Sequence, residues 1–473
     1  MTHQPLPPSL RFRALVPALT VAALVAMTGA CDVTDEIEIV EDDDVEMRKG
    51  PPILASTAEC AAMSWRGNRQ SAHCWAGGAV DEFDTIGRPG AGDFVFATAH
   101  HGPLPLGQTV SVVAYDHSSN SFSVVANGSG HPGHPTASNQ IARHVSANPA
   151  ADGTFVTCGG DTQGSGLAIA QHWTYDDATS SLQMDWQTTV PGTSFATDCA
   201  YAPNGDDIWM ATGSSVVRLD AASGAQAATY TTGMAGIPTH LAFDGSGSIY
   251  AAGWGLHAAG TQLWLSEFDP STGAFASVYS YAEGHDDFLD DLVMVDTANT
   301  AGVSVLRVAM VARRDLGGGN HEARVVIADL DGPSPTTIFE DGGWPVSSIR
   351  VDADEDADVY VMTQEQTGGT VTLSKYTGEV GLSPTRIMNR HPISGATPMA
   401  FPELVVEDGF GGYAGLRKVF FGGSMSNTFW GASAAQTHDP FLAHFDQQIC
   451  TACRGGGGIL GNRVSAPLNG ICY

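Results

Sequence analysis

The stretch from Thr239 to Tyr279 decides the fold. Its first part reads THLAFDGSGSIYAAGWG over residues 239–255, and its second part reads LSEFDPSTGAFASVY over residues 265–279. Each part is an apolar segment, a short polar turn and a second apolar segment, which is the pattern of a β-hairpin. In the second part Asp269 can cap the turn with its carboxylate, while Gly273 accepts a left-handed backbone. The stretch therefore predicts four short antiparallel strands.

Both parts recur along the chain. Copies of the first part are RHVSANPAADGTFVTCGG (143–160), TDCAYAPNGDDIWMATG (197–213), SSIRVDADEDADVYVMT (347–363) and PELVVEDGFGGYAGLRKVFFGG (402–423). Copies of the second are VVAYDHSSNSFSVV (112–125), HWTYDDATSSLQM (172–184) and VVRLDAASGAQAATY (216–230), with weaker ones at 326–338, 373–382 and 441–449. Four-stranded units repeated without helical periodicity between them are typical of β-propeller blades.

The hairpin positions of the second part set the predicted number of blades. They are Asp116, Asp176, Asp220, Asp269, Asp331, Tyr376 and Asp446. They predict an all-β propeller of seven four-stranded blades, and their uneven spacing leaves six or eight open. The last copy shows only three strands before Cys450, so residues 53–63 are expected to supply the fourth strand and close the ring.

The phrase GSIYAAGWG (247–255) followed by LWLSEFDPSTG (263–273) resembles the blade repeats of bacterial secreted β-propeller proteins. The resemblance covers most of residues 93–446. It implies the fold and no particular activity.

The composition excludes some partners. The formal net charge is -30, and Lys375 and Lys418 are the only lysines after residue 50. A chain this acidic repels phosphate backbones, and we therefore expect no nucleic-acid partner. We expect contact with a membrane only through a lipid anchor. A monomer is expected.

The N-terminus predicts export. Arg11 and Arg13 precede the apolar stretch 14–26, which is too short to span a bilayer, and no acid occurs before Asp32. Residues 28–31 read TGAC and resemble the bacterial lipobox, which implies cleavage before a lipidated Cys31. We therefore expect a cell-envelope lipoprotein of the outer membrane or cell surface. The alternative is ordinary cleavage nearby, which would give a periplasmic or secreted protein with Cys31 as a plain thiol.

These signals divide the chain into four segments. A signal peptide is predicted over residues 1–30, and an acidic tether over 31–52, which is too polar to bury a core. The propeller is predicted over 53–450, and a Gly- and Cys-rich tail over 451–473.

Eight cysteines in an exported chain predict disulfides. Local spacing favours Cys60–Cys74. In the tail, Cys450, Cys453 and Cys472 predict one bridge, taken as Cys453–Cys472, and one leftover thiol, and the choice among these three cysteines stays open. The repeat favours Cys158–Cys199, since it places Cys158 on a second strand and Cys199 on the innermost strand of the next blade. Pairing of Cys60 with Cys450 or Cys453 is the alternative if the terminal strands meet.

Polar residues recur where the innermost strands begin, which is the face where propellers usually bind ligands. They are His144, Asp198, His240, Asp291, Ser348 and Glu403. A ring of His and carboxylates could hold a cation or a polar ligand. The alternative is that strands starting at a wet channel mouth are polar whatever their role.

The segment EGHDDFLDD (283–291) is the densest cluster of candidate metal ligands. His285, Asp286 and Asp290 could bind a divalent cation, the one cofactor that the sequence suggests. Acidic loops are common in so acidic a chain, which is the competing explanation.

The sequence contains no G-x-S-x-G, H-E-x-x-H or Walker motif. We therefore interpret the chain as a tethered binding or scaffold module for a protein, glycan or cation, without assigned catalytic residues. The alternative is a propeller enzyme, either a metal-assisted hydrolase or lyase or a quinoprotein-like dehydrogenase, acting at the His/Asp-lined mouth.

Overall fold

The computed structural model describes one part of the chain. The described residues are 70–74, 81–87, 94–101, 107–116, 121–129, 140–151, 153–161, 167–213, 215–257, 260–298, 304–331, 334–353, 358–366, 371–377, 385–388, 400–408, 416–426 and 438–448. The predicted signal peptide, tether and tail lie outside them. So do the side chains of the predicted pairs Cys60–Cys74 and Cys453–Cys472.

The described residues are all-β and contain no helix. The first fourteen strands are β1 (Gln70–Cys74), β2 (Asp81–Gly87), β3 (Phe94–His101), β4 (Gly107–Asp116), β5 (Ser121–Ser129), β6 (Gln140–Ala147), β7 (Thr154–Asp161), β8 (Ala168–Asp176), β9 (Ser181–Val190), β10 (Ala196–Tyr201), β11 (Asp207–Thr212), β12 (Ser215–Asp220), β13 (Gln226–Tyr230) and β14 (Ile237–Phe243). The others are β15 (Ile249–His257), β16 (Gly260–Asp269), β17 (Ala274–Tyr281), β18 (Asp286–Ala298), β19 (Ser304–Gly317), β20 (Asn320–Asp329), β21 (Thr336–Pro345), β22 (Ser348–Ala353), β23 (Val359–Gln364), β24 (Val371–Thr377), β25 (Thr385–Met388), β26 (Ala400–Asp408), β27 (Leu416–Ser426) and β28 (His438–Gln448).

These strands form four-stranded antiparallel sheets. Sheet 1 is β2 to β5, sheet 2 is β6 to β9, sheet 3 is β10 to β13, sheet 4 is β14 to β17, sheet 5 is β18 to β21 and sheet 6 is β22 to β25, each in chain order. Sheet 7 has the order β26-β27-β28-β1, so its fourth strand comes from the N-terminal side of the described chain. Repeated sheets of this kind are consistent with a β-propeller.

The Asp turns join third and fourth strands as the sequence predicts. Asp220 Oδ1 accepts a hydrogen bond from the Ser223 backbone N at 2.8 Å, and Asp269 Oδ1 accepts one from the Ser271 backbone N at 2.8 Å. Gly224 and Gly273 follow with φ of 69° and 66°, a left-handed conformation that glycine adopts at little cost. Hydrogen bonds from Ser223, and from Ser271 and Thr272, lower the pKa of Asp220 and Asp269. The turn carboxylates therefore remain ionised and keep the hairpins closed.

The cores lie between successive sheets. One buried cluster joins sheets 2 and 3 around Ala170 and Met210, and another joins sheets 4 and 5 around Leu265 and Met310. Further clusters join sheets 1 and 2, 3 and 4, and 5 and 6. The first strands also contact one another in the order β2, β6, β10, β14, β18, β22 and β26, and β26 contacts β2. Burial between consecutive sheets explains why second strands such as β11 and β23 are buried along nearly their whole length, on both faces.

A cysteine pair and a terminal strand each join distant parts of the chain. Cys158 lies on β7 and Cys199 on β10, with their sulfur atoms 2.14 Å apart, so the pair predicted from the repeat is found at disulfide distance. The strand that pairs with β28 is β1, with Ala72 opposite Ala443, whereas the sequence suggested residues 53–63. Residues 53–63 lie outside the described part.

Within the described residues, no helix has the length and hydropathy needed to cross a membrane.

Candidate functional site

The predicted ligand-binding residues all lie on first strands. His144 is on β6, Asp198 on β10, His240 on β14, Asp291 on β18 and Glu403 on β26. The structure describes the backbone of Glu403 but not its side chain. The predicted ring of polar residues therefore lies on first strands, each of which contacts the first strand of the next sheet. Its role in ligand binding stays a prediction.

The aspartates of this ring bind the backbone of the next sheet. Asp198 Oδ2 accepts a hydrogen bond from the Leu241 N–H at 2.6 Å. Asp291 Oδ2 accepts one from the Val351 N–H at 2.9 Å, which repeats the contact between sheets 5 and 6. We call each such carboxylate-to-backbone bond between neighbouring first strands an inter-sheet staple.

A third staple joins sheets 6 and 7. Asp352 Oδ2 accepts a hydrogen bond from the Val406 N–H at 2.7 Å. Sheets 2 and 3 use a hydroxyl in the same way, since Ser146 Oγ accepts from the Tyr201 N–H at 3.2 Å. A hydrogen bond to a charged acceptor is worth about 1.5–3 kcal/mol, so these carboxylates contribute to holding the first strands together.

His144 extends the staple network at Asp198. His144 Nδ1 lies 2.8 Å from the Cys199 carbonyl oxygen and 2.7 Å from Asp198 Oδ1. A single N–H cannot donate well to both acceptors, and Asp198 Oδ1 is in ion-pair contact with the ring without a well-formed hydrogen bond. Burial acts to raise the pKa of Asp198, but the charge of His144 and the hydrogen bonds outweigh it and lower that pKa. Asp198 is therefore ionised in its buried position.

His240 is held in the neutral form. Burial lowers the pKa of the His240 imidazole to about 4, against an attraction to Asp198 that raises it, and Arg350 lowers it further. His240 Nδ1 lies 2.9 Å from Thr239 Oγ1, and the backbone of Asp290 also hydrogen-bonds the ring. These two contacts hold the neutral imidazole ring in place.

The acidic segment 283–291 is paired with arginines of β19. Asp290 makes a bidentate ion pair with Arg313, with Nε–Oδ2 and Nη2–Oδ1 distances of 2.5 and 2.7 Å. Arg314 is 4% exposed and bonds Asp287 and Glu283, with Nε 2.9 Å from Asp287 Oδ1. These ion pairs offset the like-charge repulsion among the carboxylates of this segment.

His285 and Asp286, the other predicted metal ligands, are exposed at the start of this segment. Within the part of the chain that the structure describes, no group of three or more His, Cys, Asp or Glu side chains is arranged to hold a metal ion. The metal assignment of His285, Asp286 and Asp290 stays a prediction.

Sequence reasoning missed a buried ion pair in sheet 6. Lys375 Nζ lies 2.7 Å from Asp358 Oδ2 and donates to the Tyr360 hydroxyl at 2.8 Å, and both charged side chains are 2% exposed. The scarcity of lysine was the available signal, because one of the two lysines after residue 50 lies in an apolar strand. The adjacent Arg313 and Arg314 were a similar signal, in a chain with only 21 Lys and Arg residues.

Comparisons with known proteins assign no family to the chain. No family model matches the chain, and no curated protein matches it. Among solved structures, the chain is similar to a chain of hydrazine synthase from Kuenenia stuttgartiensis, with a TM-score of 0.35 and 13% identity. That similarity covers 61% of this chain and 94% of the other. A similarity of this size carries no argument about the fold or the function.

Proposed function

We propose that this protein is a closed, seven-bladed β-propeller that is exported, tethered to the cell envelope, and used as a binding or scaffold module. Seven four-stranded sheets, the pairing of β1 with β28, and the contact between β26 and β2 support this number of blades and closure by the N-terminal strand. The first strands are the rim of the central mouth in such a ring. The mouth is where a protein or glycan ligand would bind.

One observation carries the choice of a binding module over an enzyme. The polar side chains of the first strands direct their polar atoms at neighbouring backbone, as Asp198 does to Leu241 and Asp291 to Val351. A catalytic carboxylate needs its oxygen at the substrate, whereas a staple needs it at the next strand. This use of the carboxylates favours a rigid platform.

Site-specific photo-crosslinking in cells tests the binding role. A benzoylphenylalanine at Thr239, beside His240 on β14, is expected to give a discrete crosslinked species. The matched control places the same residue at Ala222, in the β12–β13 turn at the other end of the sheets. A crosslink at Thr239 that is absent at Ala222 supports the proposal, and no product from Thr239 contradicts it.

Metal analysis of the full-length protein, purified in detergent, separates this proposal from the metal-assisted enzyme. A binding module is expected to give the same metal content in the wild type and in His240→Ala. Stoichiometric metal that His240→Ala removes, together with hydrolysis of chromogenic ester or phosphate substrates, would replace the proposal with the hydrolase.

Export and tethering have their own test, since the relevant residues lie outside the described part. The proposal predicts a mature protein that begins with diacylated Cys31, followed by the acidic segment 32–52. Mass spectrometry of the N-terminal peptide is expected to show the lipid, and Cys31→Ala is expected to release the protein from the membrane fraction. An unmodified or missing Cys31 in the wild type would refute the anchor.

A further inference from the structure

Basic side chains around the first strands are exposed, whereas the acidic side chains beside them are turned inward. The side chain of Asp198 is 5% exposed, and that of His144, which contacts it, is 38% exposed. In sheet 5 the side chain of Asp290 is 9% exposed, and that of Arg313, which binds it, is 33% exposed. A ligand that arrives at this surface therefore meets an imidazole and a guanidinium before it meets a carboxylate.

Positive charge is in excess around Asp290. Arg313 binds its carboxylate, and Arg350 Nη1 lies 3.4 Å from its carbonyl oxygen, so two arginines contact one aspartate. The next carboxylate along the chain, that of Asp291, is bound to backbone N–H groups of its own strand and of β22. At physiological ionic strength, solvent-exposed charges more than about 8 Å away are largely screened, so the acids elsewhere in the chain contribute little here. This place therefore attracts an anionic group of a ligand.

Arg313 has hydrogen-bond donors left for such a group. A guanidinium carries five N–H donors. In Arg313, Nε and Nη2 donate to the Asp290 carboxylate, and Nη1 donates to the Ser347 carbonyl at 3.2 Å. Arg313 makes no further hydrogen bond to the residues that the structure describes, so one N–H remains on Nη1 and one on Nη2. Two neighbouring N–H groups of a guanidinium can hold both oxygens of a carboxylate.

Hydroxyl and imidazole groups lie close to this guanidinium. Ser348 directly follows the residue whose carbonyl the guanidinium binds. The Asp290 backbone hydrogen-bonds the His240 ring, and Thr239 Oγ1 lies 2.9 Å from His240 Nδ1. Hydroxyls and neutral imidazoles both donate and accept hydrogen bonds, which suits the hydroxyls of a sugar, whereas the core of a protein interface is apolar and aromatic. The surroundings of Arg313 therefore favour a sugar over a protein segment.

From this arrangement we propose that the mouth binds a carboxylated glycan, whose carboxylate is held by the two remaining N–H groups of Arg313. Hydroxyls of the same sugar hydrogen-bond Thr239 and Ser348. This inference rests on the function proposed above, because it names the class of ligand for the same mouth. An acidic peptide brings the carboxylate without the sugar hydroxyls, and it is the competing ligand in the test.

Binding of a defined oligosaccharide to the full-length protein tests this proposal. The probe is fluorescent tetragalacturonate, and its matched control is the methyl ester, which keeps the hydroxyls and loses the charge. We expect fluorescence anisotropy at 0.15 M NaCl to show the acid binding at least tenfold tighter than the ester, and at least tenfold tighter than an amidated tetraglutamate peptide. Equal binding of acid and ester, no binding of the acid, or tighter binding of the peptide overturns the proposal.

Arginine variants then locate the site. Arg313→Lys keeps the charge but loses the forked guanidinium, so it is expected to weaken binding of tetragalacturonate at least tenfold. Arg218→Lys is the matched control, because Arg218 is 38% exposed and pairs with Asp207 near the turns at the other end of the sheets; it is expected to change affinity less than twofold. Binding within twofold of the wild type in both variants refutes the site, provided that circular dichroism and melting temperature show both folded.

Failure of this inference is distinguishable from failure of the proposed function. A crosslinked species from Thr239 in a protein that does not prefer tetragalacturonate refutes the carboxylated glycan and leaves the binding module in place.

Discussion

Replacing Asp198 by Ala removes the staple between sheets 3 and 4. The carboxylate is 4% exposed, accepts the Leu241 N–H at 2.6 Å and lies 2.7 Å from His144 Nδ1. A hydrogen bond to a charged group contributes about 1.5–3 kcal/mol, and the buried Leu241 N–H left without an acceptor adds a desolvation cost. We expect Asp198→Ala to lower the free energy of unfolding by about 3 kcal/mol.

Urea unfolding followed by tryptophan fluorescence measures this change, since the chain has 9 Trp residues. Asp177→Ala is the matched control, because this exposed carboxylate accepts one long hydrogen bond, from the Tyr175 hydroxyl at 3.3 Å. A surface change of that kind is expected to stay within about 0.5 kcal/mol. Asp198→Asn keeps an oxygen for Leu241 but loses the charge, so its cost should be intermediate.

The stabilisation by Asp198 also depends on pH. The folded pKa of Asp198 lies below its ordinary value, so its contribution is present at neutral pH and is lost as the pH falls through that folded pKa. The gap between wild type and Asp198→Ala should therefore narrow below about pH 4. If Asp198→Ala unfolds at the same urea concentration as Asp177→Ala at neutral pH, the staple does not stabilise the fold.

Three other changes test separate parts of the account. Cys158→Ser/Cys199→Ser should lower the free energy of unfolding by about 4 kcal/mol, since the disulfide closes a loop with a sequence separation of 41. Reduction of the wild type should give the same loss, and equal stability of the oxidised wild type and the variant would contradict the bond. Because folding lowers the pKa of His240 to about 4, its contribution to stability is full above pH 6.5 and declines by up to about 3 kcal/mol as the pH falls toward 4. His240→Gln should flatten this decline in the urea midpoint, and an unchanged dependence of the midpoint on pH would contradict the prediction. Lys375→Met should cost about 3–5 kcal/mol, because it removes the cation that lies 2.7 Å from the buried Asp358 carboxylate. Asp358→Leu/Lys375→Met should recover most of that loss, and a single variant as stable as wild type would rule out a stabilising role of the ion pair.

The repeat was predictable because its turns are local. A carboxylate before a Ser-Thr-Gly turn caps residues two or three positions away, so Asp220 and Asp269 show their role in the sequence itself. The contact of Cys158 with Cys199 was predictable for a related reason, since the repeat places both on adjoining strands of neighbouring sheets. The strand that pairs with β28 on its outer side, β1, was harder to predict. The sequence around β1 is short and weakly apolar, and the preference for 70–74 over 53–63 depends on pairing with β28, far along the chain.

The candidate site was predictable in position but not in contacts. The sequence predicted Asp198, His240 and Asp291 at the starts of first strands. The structure has all three on first strands, but His240 is in the middle of β14 and Asp291 is the sixth of 13 residues in β18. It could not show that Asp198 and Asp291 bind backbone N–H groups, because a backbone donor leaves no mark in the sequence. The sequence also did not show that arginines pair with the acids of segment 283–291, because the contact of Asp287 with Arg314 depends on the register of β18 with β19.

Closure of the ring by β1 is the central claim, and one engineered crosslink tests it most directly. Ala72 stands opposite Ala443 in the pairing of β1 with β28. In the full-length protein, Ala72→Cys/Ala443→Cys is expected to form an intramolecular disulfide, seen by mass spectrometry as one linked pair of peptides under non-reducing conditions. Shifting one partner by a residue, as in Ala72→Cys/Leu442→Cys, should abolish the link because neighbouring side chains point to opposite faces. Free thiols at positions 72 and 443, or a link only between molecules, would contradict closure by the N-terminal strand.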